Sequence, residues 1–317
     1  MEMRNLGRSG LRVSKMGLGC NNFGEALDLE GSRRVIDAAL DVGMTFFDTA
    51  DVYGKRGGSE ACIGEALGPR RQRVVLATKF ALPMDDQGLL RGASRGYVMT
   101  ALEASLRRLK TDWIDLYQLH WPDPLTPLDE TLRALDDAVT QGKVRYIGCS
   151  NLPAWQVTEC AWIAKTSGRA AFVSTQNEYS LLVRNPEKEL IPAAQSHGMS
   201  LLPAFPLTGG LLTGKYAAGR PPPENTRFAR RGGNFVARHD RAENFARVAR
   251  LAPFAEQHGR SMVELACSWL ACQPIVASVI AGATTVDQVI QNATAADWLL
   301  TPENQAEIDD LLDPPAR

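Results

Sequence analysis

The sequence predicts an α/β fold of the (β/α)8 barrel type, and three observations carry that prediction. From residue 16 onward, eight short β-branched or aromatic runs alternate with amphipathic helical patterns. The runs read as strands buried on both faces, which is the habit of a parallel sheet whose strands are joined by crossover helices. Eight such units in about 300 residues fit a closed barrel better than an open doubly wound sheet. The chain of 317 residues shows no linker or low-complexity boundary, so residues 1–317 are read as one domain.

Taken in order, the segment RNLGRSGLRVS (4–14), with Ser9-Gly10 at its centre, reads as an N-terminal β-hairpin able to plug the barrel bottom. MGLGC (16–20) is the first barrel strand. In the helix after it Ser32 can serve as cap, Val35, Ile36, Ala39 and Leu40 share a face, and Gly43 suits the left-handed C-terminal position. TFFDT (45–49), a helix over 59–67 and VVLATK (74–79) follow. Between Ser94 and Lys110, Val98, Leu102, Leu106 and Leu109 form one stripe, and IDLYQLH (114–120) is the fourth strand. The next helix takes Thr126 as N-cap, Pro127 at the first helical position and Asp129 as its acidic third residue, with Gly142 ending it. VRYIGC (144–149), FVSTQN (172–177), MSLLPAF (199–205) and VASVIA (276–281) complete the eight. Residues 206–241 carry little helical or strand pattern, and a loop of that length is usually functional or disordered. The whole is a TIM barrel with an N-terminal β-hairpin and a long loop after strand seven.

Composition narrows the function. Lys and Arg number 35 against 36 Asp and Glu, a net charge of −1, which argues against a nucleic-acid partner. Ordinary apolar content with small net charge excludes disorder. The N-terminus has basic residues but no apolar signal core, and runs such as LLPAF (201–205) fall far short of the ~18 apolar residues of a membrane helix. Six scattered cysteines (Cys20, Cys62, Cys149, Cys160, Cys267 and Cys272) without a C-x-x-C pair read as reduced core thiols of a cytoplasmic protein. The four histidines have no ligand spacing, so no metal site is expected.

Barrels of this kind place reactive residues at the C-terminal ends of strands and in the loops that follow. Here those positions hold Asp48 with Tyr53 close behind, then Lys79, then His120; Ser150 and Asn151 follow strand five, and Gln176 and Asn177 end strand six. Together the first four make a proton-delivery set. A tyrosine with its usual pKa of ~10 donates poorly near pH 7. A nearby ammonium favours the phenolate, and a carboxylate beside that ammonium holds it in place. A histidine can orient the oxygen being protonated. That suits carbonyl reduction, for which the side chains offer no hydride, so a nicotinamide has to supply it.

With those residues in view, the chain resembles the aldo-keto reductase family of (β/α)8 barrels, over about residues 4–295. The likeness rests on GLGCNNFG (17–24), FFDTADVYG (46–54) with GGSE (57–60), LATK (76–79) and SLRRLKTDWIDLYQLHWPD (105–123). GKVRYIGCSN (142–151), TQNEYS (175–180), GGLLTGKY (209–216) and GATTVDQVIQN (282–292) extend it. The resemblance implies that Tyr53 is the general acid, tuned by Lys79 and Asp48, and that His120 orients the carbonyl. It implies that Ser150, Asn151 and Gln176 hold the nicotinamide carboxamide, beside Gly19, Cys20 and Asn21. Phe205, Pro206, Leu207, Gly209, Leu211, Thr213 and Lys215 then fall on the loop over the pyrophosphate, and Gly282, Thr284, Gln288 and Asn292 at the adenosine end. A helix N-terminus at that end suits anionic groups, with Val286, Val289 and Ile290 as the helix's buried face. Phe23 and Trp121 are expected in the substrate pocket. Gly17 and Gly19 are followed by Asn22, so no G-x-G-x-x-G fingerprint is present.

Two departures stand out. Where the family commonly stacks a large aromatic on the nicotinamide this chain has Ala204, so either Phe205 serves as the platform or the ring is held more loosely. Residues 275–316 contain no Lys or Arg and seven Asp or Glu, although NADP-preferring members often carry a cation there. Arg220, Arg227, Arg230, Arg231, Arg238, Arg241, Arg247 and Arg250 crowd the preceding segment, and one or two of them are expected to supply the cation. The leading expectation is therefore an NADPH-dependent reductase of aldehydes or reactive ketones, NAD(H) being the alternative cofactor. A sugar or polyol dehydrogenase using NAD, and a nucleotide-sensing protein like the potassium-channel β subunits, are the competing expectations. A small carbonyl compound is the expected partner, without nucleic acid or membrane, and no feature specifies an oligomeric state.

Overall fold

The structure, a computed structural model, describes residues 1–216 and 241–313. Strands β1 (Met3–Asn5) and β2 (Arg12–Ser14) pair antiparallel as the expected hairpin. Eight further strands form one parallel sheet: β3 (Met16–Gly19), β4 (Phe46–Asp48), β5 (Val75–Phe80), β6 (Ile114–Leu119), β7 (Val144–Ser150), β8 (Phe172–Glu178), β9 (Ser200–Ala204) and β10 (Val279–Gly282). From β3 to β9 each strand pairs with the next, and β10 pairs with β3. The seam between β9 and β10 is drawn together ahead of β10, where Leu201 bridges Val276 and its N–H donates to Ile275 at 2.9 Å. The last strand therefore starts three residues later than the 276–281 expected.

Inward side chains fill the barrel in layers, as strands of period two require. The lower layer joins Phe46, Ala77, Leu116 and Leu202 to Leu6, Leu11 and Val13 of the hairpin, which closes the bottom. Each buried Leu, Val or Phe side chain among them contributes about 1.5–3 kcal/mol. Gly7 seats the hairpin: at φ +57° a side chain is strained, and a Cβ there would lie 2.3 Å from the Val173 carbonyl oxygen.

The outer layer comprises α1 (Leu29–Asp41), α2 (Tyr53–Leu67), α3 (Arg95–Leu109), α4 (Leu128–Thr140), α5 (Ala154–Ser167), α6 (Leu190–Ser196), α7 (Ala242–Gln257), α8 (Met262–Ala271), α9 (Val286–Thr294) and α10 (Pro302–Leu312). Val35, Ile36, Val98, Leu102, Leu132 and Leu135 all enter the core as their periodicity requires. Among the described residues, no helix is long and apolar enough to cross a membrane. All six cysteines are free, five of them buried.

Several local expectations need correction. α1 begins one turn earlier than Ser32 implies: the Asp28 carboxylate accepts from the Gly31 N–H, and the Ser32 hydroxyl donates to the Asp28 carbonyl. Thr126 does not cap α4, because its hydroxyl donates to Asp123, and Pro127 takes the cap position without a side-chain bond. In α9 only Val289 of the three expected apolar contacts is buried, whereas Val286 and Ile290 are 38% and 50% exposed. The helix packs through Val289, Asn292 and Ala293, a narrower stripe than its apolar residues mark. The segment after β9 opens with a short 3-10 helix, Thr208–Thr213. Residues 217–240, with Arg220, Arg227, Arg230, Arg231 and Arg238, lie outside the described residues. Arg247 and Arg250 are engaged at the C-terminal end of α10, where they donate to the Leu311 and Leu312 carbonyls.

Candidate active site

The upper inward layer of the barrel is polar. Asp48 stands two residues beyond Phe46, Lys79 two beyond Ala77, Gln118 two beyond Leu116, so alternation aims all three at the barrel axis. The Lys79 ammonium donates to Asp48 Oδ2 at 2.6 Å and to the Thr49 carbonyl at 2.8 Å. Lys79 is fully buried. Burial by itself favours the neutral amine, but the Asp48 carboxylate and the Tyr53 phenolic group outweigh it and hold Lys79 above its usual value. Asp48 Oδ1 accepts from Gln118 Nε2 at 3.2 Å and from Gln176 Nε2 at 3.1 Å.

Tyr53 opens α2 on a backbone unlike a helix. Residues 54–57 all have positive φ, and regular helix resumes only after them. Gly54 makes the turn possible, since a Cβ there would lie 2.4 Å from the Phe23 carbonyl oxygen and 2.5 Å from the Ser59 nitrogen. This turn carries the half-buried phenol over the barrel mouth: the Lys79 Nζ lies 5.3 Å from its ring centroid, and the His120 ring meets it edge-on with centroids 5.7 Å apart. Burial and the Lys79 ammonium push His120 down to about 3, so its imidazole is neutral, and its Nδ1 is buried without a partner. The structure thus brings Asp48, Tyr53, Lys79 and His120 together from four separate segments.

A cavity of about 540 Å³ opens beside them. Asp48, Tyr53 and Gln176 line it together with Gly19, Cys20 and Asn21. Phe205, Pro206, Leu207, Gly209, Thr213 and Lys215 form another part of its wall, and Gly282, Thr284, Gln288 and Asn292 a third. Burial, with the nearby Asp48 carboxylate, raises Cys20 well above the usual range and keeps it a thiol.

Three expected cofactor residues do not line the cavity. Leu211 is buried in the core. The Ser150 hydroxyl is committed to the Gln176 carbonyl at 2.8 Å, and the Asn151 amide donates to the His120 carbonyl and to Ser150. Phe23 and Trp121, the two residues expected in a substrate pocket, are not among those that line this cavity. Phe23 is fully buried in the core because the segment after β3 folds back on itself, with Phe23 N–H on the Cys20 carbonyl and Gly24 N–H on that of Leu27. Trp121 is half exposed and does not line the cavity. The wall gains Asn22, Ala204, Gly210, Val263 and Gln291. Gln291 was within reach of sequence reasoning, being one turn from Gln288; Val263 comes from α8 by tertiary packing alone.

The pattern of the aldo/keto reductase family matches residues 15–313. The chain belongs to that family. Among its relatives is a probable voltage-gated potassium channel subunit beta of Oryza sativa subsp. japonica, 39% identical over 96% of this chain and 94% of the relative. Versiconal hemiacetal acetate reductase of Aspergillus parasiticus is 36% identical over 96% of this chain and 94% of its own length. Aldo-keto reductase YhdN of Bacillus subtilis is 33% identical over 99% and 94%. Family membership makes the protein an oxidoreductase by class.

The charge and hydrogen bonding of the cavity wall in this aldo/keto reductase family member are uneven. Lys215 is the cation among the described residues that line the cavity. Gln288 turns its Oε1 back onto the Thr284 N–H at 2.7 Å and hydroxyl at 3.1 Å, which leaves its amide N–H groups as donors.

Proposed function

We propose that this protein reduces aldehydes or reactive ketones to alcohols by hydride transfer from NADPH, with Tyr53 as the general acid. The observation that carries the reading is the buried Lys79–Asp48 pair set against the Tyr53 ring at the wall of a cavity. The cavity's volume and its glycine-lined, hydroxyl- and amide-bearing walls suit a dinucleotide. Gln176, Gly209, Lys215, Gln288 and Asn292 are the residues read as holding it, and its nicotinamide supplies the hydride.

The chain's own part is to place and move a proton. As the substrate carbonyl gains electron density, its oxygen takes the proton from the Tyr53 hydroxyl, and the phenolate left behind is stabilised by the Lys79 ammonium. Tyr53 contributes to raising Lys79, and that coupling is mutual: a charged Lys79 favours the phenolate by the same amount. Asp48 keeps the ammonium charged and still. His120, neutral, is suited to hydrogen-bond the carbonyl oxygen without competing for the proton. Buried free thiols fit a reducing compartment, and we read the location as cytoplasmic.

Titrating the protein's fluorescence with NADPH and NADH, then measuring turnover of 4-nitrobenzaldehyde, tests the reading. Tighter binding of NADPH with measurable turnover is expected. Preference for NADH would bring the dehydrogenase reading forward. The relatives named as potassium channel β subunits support a second reading, a nucleotide-sensing binding protein, which binding without turnover would favour.

A further inference from the structure

We propose that Gln118 is a positioning residue that holds the Asp48 carboxylate, and through it Lys79, independently of what occupies the cavity. The proposal rests on the reading of Tyr53 as a proton donor tuned by Lys79. Gln118 is fully buried on β6 and is the register partner of Lys79 on β5. Two amides share one carboxylate oxygen, Gln118 Nε2 at 3.2 Å and Gln176 Nε2 at 3.1 Å from Asp48 Oδ1, while Lys79 takes Oδ2. They differ in access. Gln176 lines the cavity, so a ligand there can compete for its amide; Gln118 does not line it.

The other end of Gln118 shows what sets its orientation. Its Oε1 is buried with no hydrogen-bond partner. Turning the amide over would set that carbonyl dipole against the carboxylate, so the anion dictates the orientation and leaves the carbonyl orphaned. An apolar side chain of the same size would leave no orphan, which makes the bond to Asp48 the gain that offsets it. Gly148, the partner of Gln118 on β7, supplies the room: a Cβ there would lie 3.3 Å from Gln118 Cγ and 2.8 Å from the Ser174 hydroxyl.

An N–H aimed at Asp48 disperses part of its negative charge. Without it the potential at Lys79 and Tyr53 becomes more negative, and the phenol holds its proton more tightly. The basic limb of the reduction rate profile, where a general acid loses its proton, then moves to higher pH.

The test compares wild type with Gln118→Met and Gln118→Leu, which fill the same space without a donor. The pH profile of kcat for 4-nitrobenzaldehyde is measured beside the NADPH Kd and the thermal midpoint. Expected are an unchanged Kd, a near-unchanged midpoint, a kcat lowered ~3–10-fold and a basic limb raised by about half a pH unit or more. A wild-type limb in a folded variant overturns the proposal, and so does a large fall in midpoint, which would make Gln118 a structural residue. Tyr53→Phe, run in parallel, separates the two ideas. If it keeps the wild-type rate, the underlying reading fails; if it loses the rate while Gln118→Met keeps the limb, only the role of Gln118 fails.

Discussion

Lys79 and Asp48 form an ion pair of 2.6 Å in which the ammonium has no exposure to solvent. The charge is tolerated there because every close neighbour suits it: a carboxylate, the Thr49 carbonyl and the face of the Tyr53 ring. Such a pair is a poor source of net stability, but removing one partner strands the other without solvent.

Lys79→Met should therefore destabilise the fold by about 3–5 kcal/mol, since Asp48 keeps its charge and loses its cation. Urea unfolding of the two proteins measures this, and the double variant Lys79→Met with Asp48→Asn should recover part of the loss. A single variant as stable as wild type would contradict the prediction.

His120 couples stability to pH. Its folded value of about 3 lies below the 6.5 of the free side chain, so only the unfolded chain gains a proton between them. The contribution is fully present above pH 6.5 and is lost as pH falls toward 3, with a slope of up to about 1.4 kcal/mol per pH unit. Denaturant midpoints of wild type and His120→Asn across that window should show the slope shrinking in the variant. Parallel curves would contradict a buried neutral imidazole.

Gly54→Ala tests whether the left-handed turn places Tyr53. A Cβ at this position strikes backbone atoms of Phe23 and Ser59 that cannot move independently of β3 and α2. A loss of ~2 kcal/mol or more in unfolding free energy is expected, with a fall in kcat from displacement of the phenol. Retained kcat would show that the turn tolerates a side chain and that Tyr53 is fixed by other contacts.

Much of this arrangement is legible in the sequence because strand alternation and strand-end position are local properties. Asp48, Lys79 and His120 each end a recognisable apolar run, and Tyr53 follows at the spacing of D-T-A-x-x-Y-G. Gln118 was not legible. Within IDLYQLH it is one polar residue in a buried strand, and only the lateral register with Lys79 reveals its partner. The apolar residues of α9 mark a face, but the width of that face in contact with the barrel depends on how the helix lies at the rim, so Val286 and Ile290 were misassigned. The fold-back after β3 turns Phe23 into the core, an outcome of hydrogen bonds within that loop that residue order alone does not announce.

The central claim, that the Tyr53 hydroxyl delivers the proton, is tested most directly by the steady-state rate of Tyr53→Phe with 4-nitrobenzaldehyde and NADPH. The substitution removes one oxygen from a half-buried ring and leaves the cavity wall otherwise intact. The expected result is an unchanged NADPH Kd with kcat lowered about 10²–10⁴-fold, the range for loss of a positioned general acid. A variant that binds NADPH as wild type does and turns over at the wild-type rate would contradict the claim.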